Sequence, residues 1–372
     1  MTDRVLIIGG SGRIGSSVAA DVLAYTDAQV SIAGRNVPAG VAAAKRLGSR
    51  VQFAALDLSE KENLRSAIAP SNIVIHCAGP FHHRDASVLK ICIEEGVHYL
   101  DVSDHRSFTQ KAFNYREFAR ESGVTAVVNT GIFPGISNSM VRQGVEQLDE
   151  AERIHLSYVV AGSGGAGLTV MRTTFLGLQN PFEAWLGGQW QAVRPYSDRE
   201  TVAFPPPYNR AGVYWYDMPE TFTLPQTFPV KTAITKFGSV PDLYNYLTWW
   251  VAKTWPASWL RNPKVIEFLS RVSYGMTQAS DRFSGIGVAI RAEVTGFKQG
   301  KPATFCSTLV RENTAAAAGC GTGSLAQLIL EGRLDRPGVW PVEGALPTDL
   351  FVETMKARGI AIAFSRFGDG IN

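Results

Sequence analysis

Short apolar runs alternate with stretches of helical spacing along the first third of the chain. Val5-Leu6-Ile7-Ile8 is an unbroken apolar run of strand length, and such runs belong to strands covered on both faces. Further strands are predicted at residues 29–33, 51–55 (running on to Asp57-Leu58), 73–77, 99–102 and 125–129. Residues 16–23, 39–47, 60–68, 86–95 and 110–122, lying between them, have helical composition. This alternation predicts an α/β fold with a doubly wound, mostly parallel sheet. Ligands of such sheets bind beyond the carboxyl ends of the strands.

Gly10-Ser11-Gly12-Arg13-Ile14-Gly15 follows the first strand at once and opens the first helix, the context in which G-x-G-x-x-G marks a Rossmann-type dinucleotide site. Gly10 is expected to make the tight turn, Gly12 to let a pyrophosphate approach the backbone, and Gly15 to let the helix pack on the sheet. An ordinary glycine turn is the alternative. A chain that prefers NAD carries Asp or Glu near the end of the second strand; here that place reads Ala33-Gly34-Arg35-Asn36. A guanidinium suits a 2′-phosphate, so NADP(H) is the expected cofactor, with Arg13 as a second phosphate partner. Alternatively, Arg35 merely caps a solvent-facing strand end. Asp57 and Leu58 are placed near the adenine, or Asp57 caps the next helix. Ala78, Gly79 and Pro80 end the fourth strand on the ligand edge, where turn chemistry alone also explains Gly-Pro. Gly131 and Phe133 open a turn, fixed by Pro134 and Gly135, expected under the nicotinamide. Asn138 bonds ligand there or caps a helix from Ser139.

After Gly131 the pattern changes. Residues 153–160 read as a strand, followed by the glycine-rich 162–167, either an anion-binding loop or a flexible one. A helix-like stretch follows at 169–178. Residues 181–229 are rich in Pro, Trp, Tyr and Phe with no clear period. Two long β-like runs, 286–297 and 303–312, joined by Lys298-Gln299-Gly300-Lys301, predict a hairpin in a mostly antiparallel sheet. Helical spacing resumes at 324–331 and 350–358. The expected organisation is a dinucleotide-binding domain at 1–131, completed by about 315–372, with an inserted α+β substrate or dimerisation domain at 132–314.

Composition narrows the class without naming a substrate. The 372 residues are 45% hydrophobic and 19% charged with a net charge of +3, so nothing argues for nucleic acid as a partner. Cys77, Cys92, Cys306 and Cys320 are widely spaced and show no metal or redox pattern; buried thiols in a reducing compartment are expected, and no metal. The first strand begins by Arg4, leaving no room for a targeting segment, so a cytoplasmic protein is expected. Residues 243–260 contain Lys253 and Pro256 and make a poor membrane span. The aromatic stretch 244–269, with Trp249-Trp250 beside Lys253, Arg261 and Lys264, reads first as a core helical segment. Its sharper reading is an apolar lid or a patch touching a membrane surface.

GGSGRIG, the AGR after the second strand, CAGPF with the downstream EEGVHYLDVSD, and NTGIFPGISN together resemble the saccharopine dehydrogenase-like NADP-binding oxidoreductases. The tail, with Thr322-Gly323-Ser324 and GVWPVEGALPTDLFVETMKARGI, is similar more loosely. This resemblance implies hydride transfer at a C–N bond, imine or secondary amine, of a small or apolar substrate. The middle of the chain offers tryptophans in place of an arginine set for a dicarboxylic amino acid. An enoyl reductase acting on a C=C bond of a hydrophobic substrate is therefore the alternative, and a non-catalytic nucleotide-binding regulatory protein is another. A homodimer stays open.

Hydride chemistry needs a positioned substrate and often a proton donor. His82 and His83 follow the fourth strand, and Tyr99, Asp101, Ser103, Asp104 and His105 cluster at the fifth. His82, His83 and Asp104 are the catalytic candidates, since histidine titrates near neutral pH. Helix capping or solvation is the bland reading of each. Asp101 reads as a backbone-bonding turn residue, and Lys236 as a substrate contact or a solvated lysine.

Overall fold

The computed structural model describes residues 2–162 and 168–368. The chain divides into two compact units, Met1–Ile136 with Ala315–Gly359, and Ser137–Thr314 with Ile360–Asn372. Elements are numbered in chain order. The first unit opens with β1 (Arg4–Ile8), α1 (Arg13–Tyr25), β2 (Gln29–Gly34), α2 (Val37–Leu47), β3 (Val51–Ala55), α3 (Lys61–Ile68), β4 (Ile73–His76), α4 (Ser87–Glu94), β5 (His98–Asp101), α5 (Arg106–Phe113), α6 (Arg116–Glu121) and β6 (Thr125–Val128), and α7 (Ile136–Glu146) begins the second.

β1 is buried over Val5 to Ile8, as its uniform apolarity demands, and lies between β2 (Val5 opposite Val30) and β4 (Val5 opposite Ile73). The strand order β3-β2-β1-β4-β5-β6 reverses direction between β1 and β4, which opens the ligand crevice of a doubly wound sheet. One helix was expected over 110–122, and two are found. Phe113 and Tyr115 both pack against the core, and residues two apart do not share a face of one helix. The chain therefore breaks at Asn114, whose N–H turns back to the Lys111 carbonyl.

The second unit runs β7 (Glu150–Ala161), α8 (Leu168–Leu176), β8 (Phe182–Leu186), β9 (Gln189–Val193), β10 (Glu200–Ala203), β11 (Arg210–Trp215), α9 (Pro219–Thr227), β12 (Thr232–Val240), α10 (Leu243–Thr254), α11 (Ala257–Leu260), α12 (Pro263–Ser284), β13 (Gly287–Lys298) and β14 (Lys301–Arg311). β7 pairs parallel with β12 and antiparallel with β13. Gln299 and Gly300 turn the β13–β14 hairpin with φ of 54° and 72°, the two positive values a type I′ turn requires. Residues 181–229, expected to be irregular, hold four strands and a helix. β9 is exposed along most of its length and so carries no apolar alternation to read.

The chain then returns through α13 (Thr314–Leu330), β15 (Gly338–Pro341), α14 (Val342–Ala345) and α15 (Thr348–Ala357), and ends in β16 (Ala363–Gly368). β15 adds a seventh parallel strand beside β6. α13 lies close against α1: a Cβ on Gly319 would come within 2.7 Å of Ser17 backbone, and one on Gly323 within 2.1 Å of Asp21 Oδ1. The return to the first unit was expected through residue 372, but it stops at Gly359. β16 pairs with β14, with Phe364 opposite Ser307, because that long strand has an edge still to fill.

Asp21 on α1 and Arg358 after α15 form a buried pair, with Nη2–Oδ1 at 2.8 Å and Nε–Oδ2 at 3.0 Å. Burial raises the Asp21 pKa, and the guanidinium pulls it back. Removing one member of such a pair strands the other charge. Arg358→Met is expected to cost about 3–5 kcal/mol in urea unfolding, and a loss under about 1 kcal/mol would show that the pair holds nothing.

Candidate functional site

The loop between β1 and α1 is set by close backbone approaches. The left-handed residue of the turn is Gly9, at φ +83°, whose N–H donates to the Ala33 carbonyl at the end of β2. A Cβ at Gly9 would sit 2.9 Å from Cys77 and Ala78 backbone atoms. Gly10, expected to make the turn, is glycine for another reason: a Cβ there would meet Ile32 at 2.6 Å. Gly15 has no room because its Cβ would fall 2.3 Å from the Gly9 carbonyl oxygen, which fixes the helix start against the loop. Gly9, Gly12 and Gly15, three apart, form one stack. Gly12 is extended, exposed and caps α1 without a side chain. The first turn of a helix offers N–H groups and a positive dipole end. A helix start with no side-chain cap and a bare glycine before it fits a pyrophosphate.

Charge gathers at the neighbouring strand ends. Arg35 is exposed just past β2. Arg84 donates from Nε to the Ala78 carbonyl at 2.9 Å, and burial followed by the charge of Arg35 lowers its pKa. Asp57 accepts from the Ser59 N–H at 3.0 Å and hydroxyl at 2.8 Å. Those two bonds first, and the charges of Arg35 and Arg84 after them, keep its carboxyl below the usual range. Arg84 was missed in the sequence, where nothing distinguishes it from a solvated arginine. Leu58 and Ala78 are half-buried against the core beside these groups. Ser11 lies on the glycine loop, and Arg13 and Ile14 in the first turn of α1. Gly131 and Phe133 belong to a turn that Gly135 closes at φ +136°, its Cβ position 2.1 Å from the Gly131 oxygen. Asn138 falls inside the first turn of α7, which starts at Ile136 rather than Ser139. The anion loop expected at 162–167 lies, beyond Gly162, outside the described residues.

His82 and His83 sit in a single 3₁₀ turn, Phe81–His83, after β4. His82 Nδ1 is 2.9 Å from His105 Nε2, and the His82 ring also stands edge-on to His83 at 4.7 Å. His105 Nδ1 accepts from the Ser107 N–H and so caps α5. Neutral His105 therefore carries its proton on Nε2 and donates it to His82 Nδ1, which leaves His82 with a proton on its outer nitrogen. Burial, followed by the charge of His82, lowers the His105 pKa to about 3. Burial lowers His82 as well. Asp104 precedes His105 and is half-buried. Asp101 Oδ1 accepts from the Ser103 and Asn129 N–H groups, tying the ends of β5 and β6 together.

In the second unit Lys236 on β12 is fully buried rather than solvated. Its Nζ donates to Asp198 Oδ2, the Asp198 carbonyl and Glu200 Oε1, each at 2.7 Å, and lies 5.3 Å from the Trp215 ring. Glu200 also reaches His155 at 3.2 Å. Sequence reasoning missed Asp198, Glu200 and His155, which come from different strands and loops.

Two outcomes follow from this geometry. Arg35→Asp is expected to weaken NADPH binding by about ten- to a hundredfold while leaving NADH nearly unchanged, the size of a lost charge-assisted contact; equal losses for both nucleotides would remove Arg35 from the 2′-phosphate. His76 and His105 are both held to a pKa of about 3, chiefly by burial. Their unfolded forms take up protons near pH 6.5, so the stability they contribute is full above that pH and is lost progressively down to about pH 3. Urea unfolding should fall by up to about 1.4 kcal/mol per pH unit for each histidine, and His105→Gln should remove about one proton's share of that slope.

Residues 5–127 match the family described as the saccharopine dehydrogenase NADP binding domain. Carboxyaminopropylagmatine dehydrogenase of Synechocystis sp. is 23% identical over 216 residues, covering 54% of this chain and 54% of that protein. Carboxynorspermidine synthase of Vibrio alginolyticus is 28% identical over 148 residues, 36% of this chain and 35% of its own. A probable mitochondrial saccharopine dehydrogenase-like oxidoreductase of Arabidopsis thaliana is 26% identical over 142 residues, 34% of this chain and 31% of its own. The matched stretch thus spans between about a third and about half of these relatives' length. In fold, apo saccharopine dehydrogenase (L-Glu forming) from Saccharomyces cerevisiae superposes with a TM-score of 0.70 at 15% identity, over 98% of this chain and 100% of that one. The family match is confined to residues 5–127, the stretch that forms β1 to β6 of the first unit.

Proposed function

We propose that this protein is an NADP(H)-dependent oxidoreductase that transfers a hydride at a C–N bond, between an imine and a secondary amine. The observation that carries the reading is the uncapped glycine start of α1 with Arg35, in place of a carboxylate, at the end of β2. Support for a C–N bond comes from relatives named for the amines carboxyaminopropylagmatine and carboxynorspermidine.

In this reading Gly12, the first turn of α1 and Arg35 hold the dinucleotide, with Arg13, Asp57, Gly79, Pro80, Gly131 and Phe133 around it. When bound, the cofactor supplies or receives the hydride. The chain's own task is to steady the nitrogen. As the imine carbon becomes saturated, its nitrogen gains basicity and takes up a proton from water. The outer N–H of His82, with His105 hydrogen-bonded behind it, donates a hydrogen bond to the lone pair that develops there. The low pKa of both rings keeps the pair neutral at pH 7, so it does not repel a cationic amine. His83 and Asp104 flank this pair and orient rather than transfer.

The test supplies NADPH with a panel of amine and 2-oxo acid pairs, and separately with enones, and follows the loss of NADPH. Turnover is expected with an imine-forming pair. His82→Ala should then lower kcat by about a hundredfold with NADPH affinity within about twofold. Turnover with enones alone would replace this reading by C=C reduction, and NADPH bound without turnover on any substrate would leave a non-catalytic nucleotide-binding protein.

A further inference from the structure

The helices of the second unit carry their polarity on the wrong side for a segment that ends at water. α10 buries Asn245, which accepts from the Ser239 N–H at 2.7 Å and donates to the Gly212 carbonyl at 3.2 Å. Its outer face at the i, i+3, i+4, i+7 positions is Leu243, Tyr246, Leu247 and Trp250, all exposed. Phe268, Val272 and Met276 form a second exposed apolar row, four residues apart, on α12. Trp259 on α11 is 55% exposed, and Phe268 is 62% exposed. The two longer helices are joined where the Tyr244 hydroxyl donates to the Met276 carbonyl at 3.0 Å. Periodicity alone had suggested a core segment here. Periodicity detects an apolar stripe and cannot tell which side of it the protein occupies.

Exposed cations accompany the apolar rows. Lys253, Arg261, Lys264 and Arg271 are exposed on the same segment, with Lys253 Nζ 4.6 Å from the Trp249 ring centroid. The Glu267 carboxylate among them is engaged by Arg172 and Arg271. Such a surface wants an apolar medium bordered by negative charge. A second copy meeting it through a two-fold axis would bring these cations together. Among the described residues no helix is long and apolar enough to cross a membrane, so the segment would lie along an interface rather than span it. Tryptophan and tyrosine favour that depth, with one end of the ring apolar and the other wet.

We propose that α10–α12 dock the protein on an anionic lipid bilayer surface, with Leu243, Tyr246, Leu247, Trp250, Trp259 and Phe268 entering the acyl boundary and the four cations resting on lipid headgroups. The full-length protein is sedimented with vesicles of phosphatidylcholine alone and of phosphatidylcholine with phosphatidylglycerol. Binding to the anionic vesicles, weakened by salt, is expected, together with quenching of tryptophan fluorescence by brominated acyl chains. Trp250→Ser with Phe268→Ser should weaken binding by at least about tenfold, and Lys253→Glu with Lys264→Glu should abolish the preference for anionic lipid. All four positions are exposed, and an unchanged far-ultraviolet circular dichroism spectrum and thermal melt serve as the check that each variant folds. Failure to bind either vesicle would overturn the proposal. So would a dimer in sedimentation equilibrium that dissolves with the apolar substitutions while lipid binding is absent.

Discussion

The first unit depends on how closely two pieces of backbone approach at the end of β1. The Gly9 carbonyl oxygen lies 3.2 Å from where a Cβ on Gly12 would stand and 2.3 Å from where one on Gly15 would, so no side chain fits at Gly15 and one at Gly12 would be tight. That approach sets where α1 begins and leaves its start bare. The same constraint reaches outward, because Gly9 also lies against Cys77 and Ala78 at the end of β4. The loop after β1 and the loop carrying His82 are therefore positioned by one another. The glycine turn and the histidine pair share a single origin in the fold.

The histidine pair shows how a fold makes chemistry from ordinary residues. One member caps a helix through the Ser107 N–H, which fixes its tautomer, and the tautomer fixes which nitrogen faces its neighbour. Burial removes charge from both rings. A polar array with its protons already assigned loses little freedom when a substrate arrives, and that is the value of preorganisation at a site.

Much of the first unit was legible because its strands are buried on both faces and read as apolar runs. The fingerprint was legible as well, though its turn residue was not: Gly9 and Gly10 are adjacent, and only coordinates tell which one takes the left-handed conformation. β15 escaped because Gly338 and Pro341 bracket only two other residues and look like a loop. The Lys236 cluster escaped because its partners are more than 30 residues away in the chain, beyond the reach of any local pattern. His82 was named from its position after a strand, whereas its link to His105 required knowing that β4 and β5 are neighbours.

The closure of α1 by a distant helix has a consequence for the order in which the protein takes shape. Asp21 finds Arg358 across 337 positions of chain. At the ribosome about 20 to 70 seconds separate the two residues, since synthesis adds about 5–20 residues each second. Through that interval the glycine face of α13 is missing from α1, and the strand that finishes the parallel sheet beside β6 has yet to be made. All of the second unit except its last strand, β16, is translated during the wait, so the part of the molecule that emerges first is among the last to be finished.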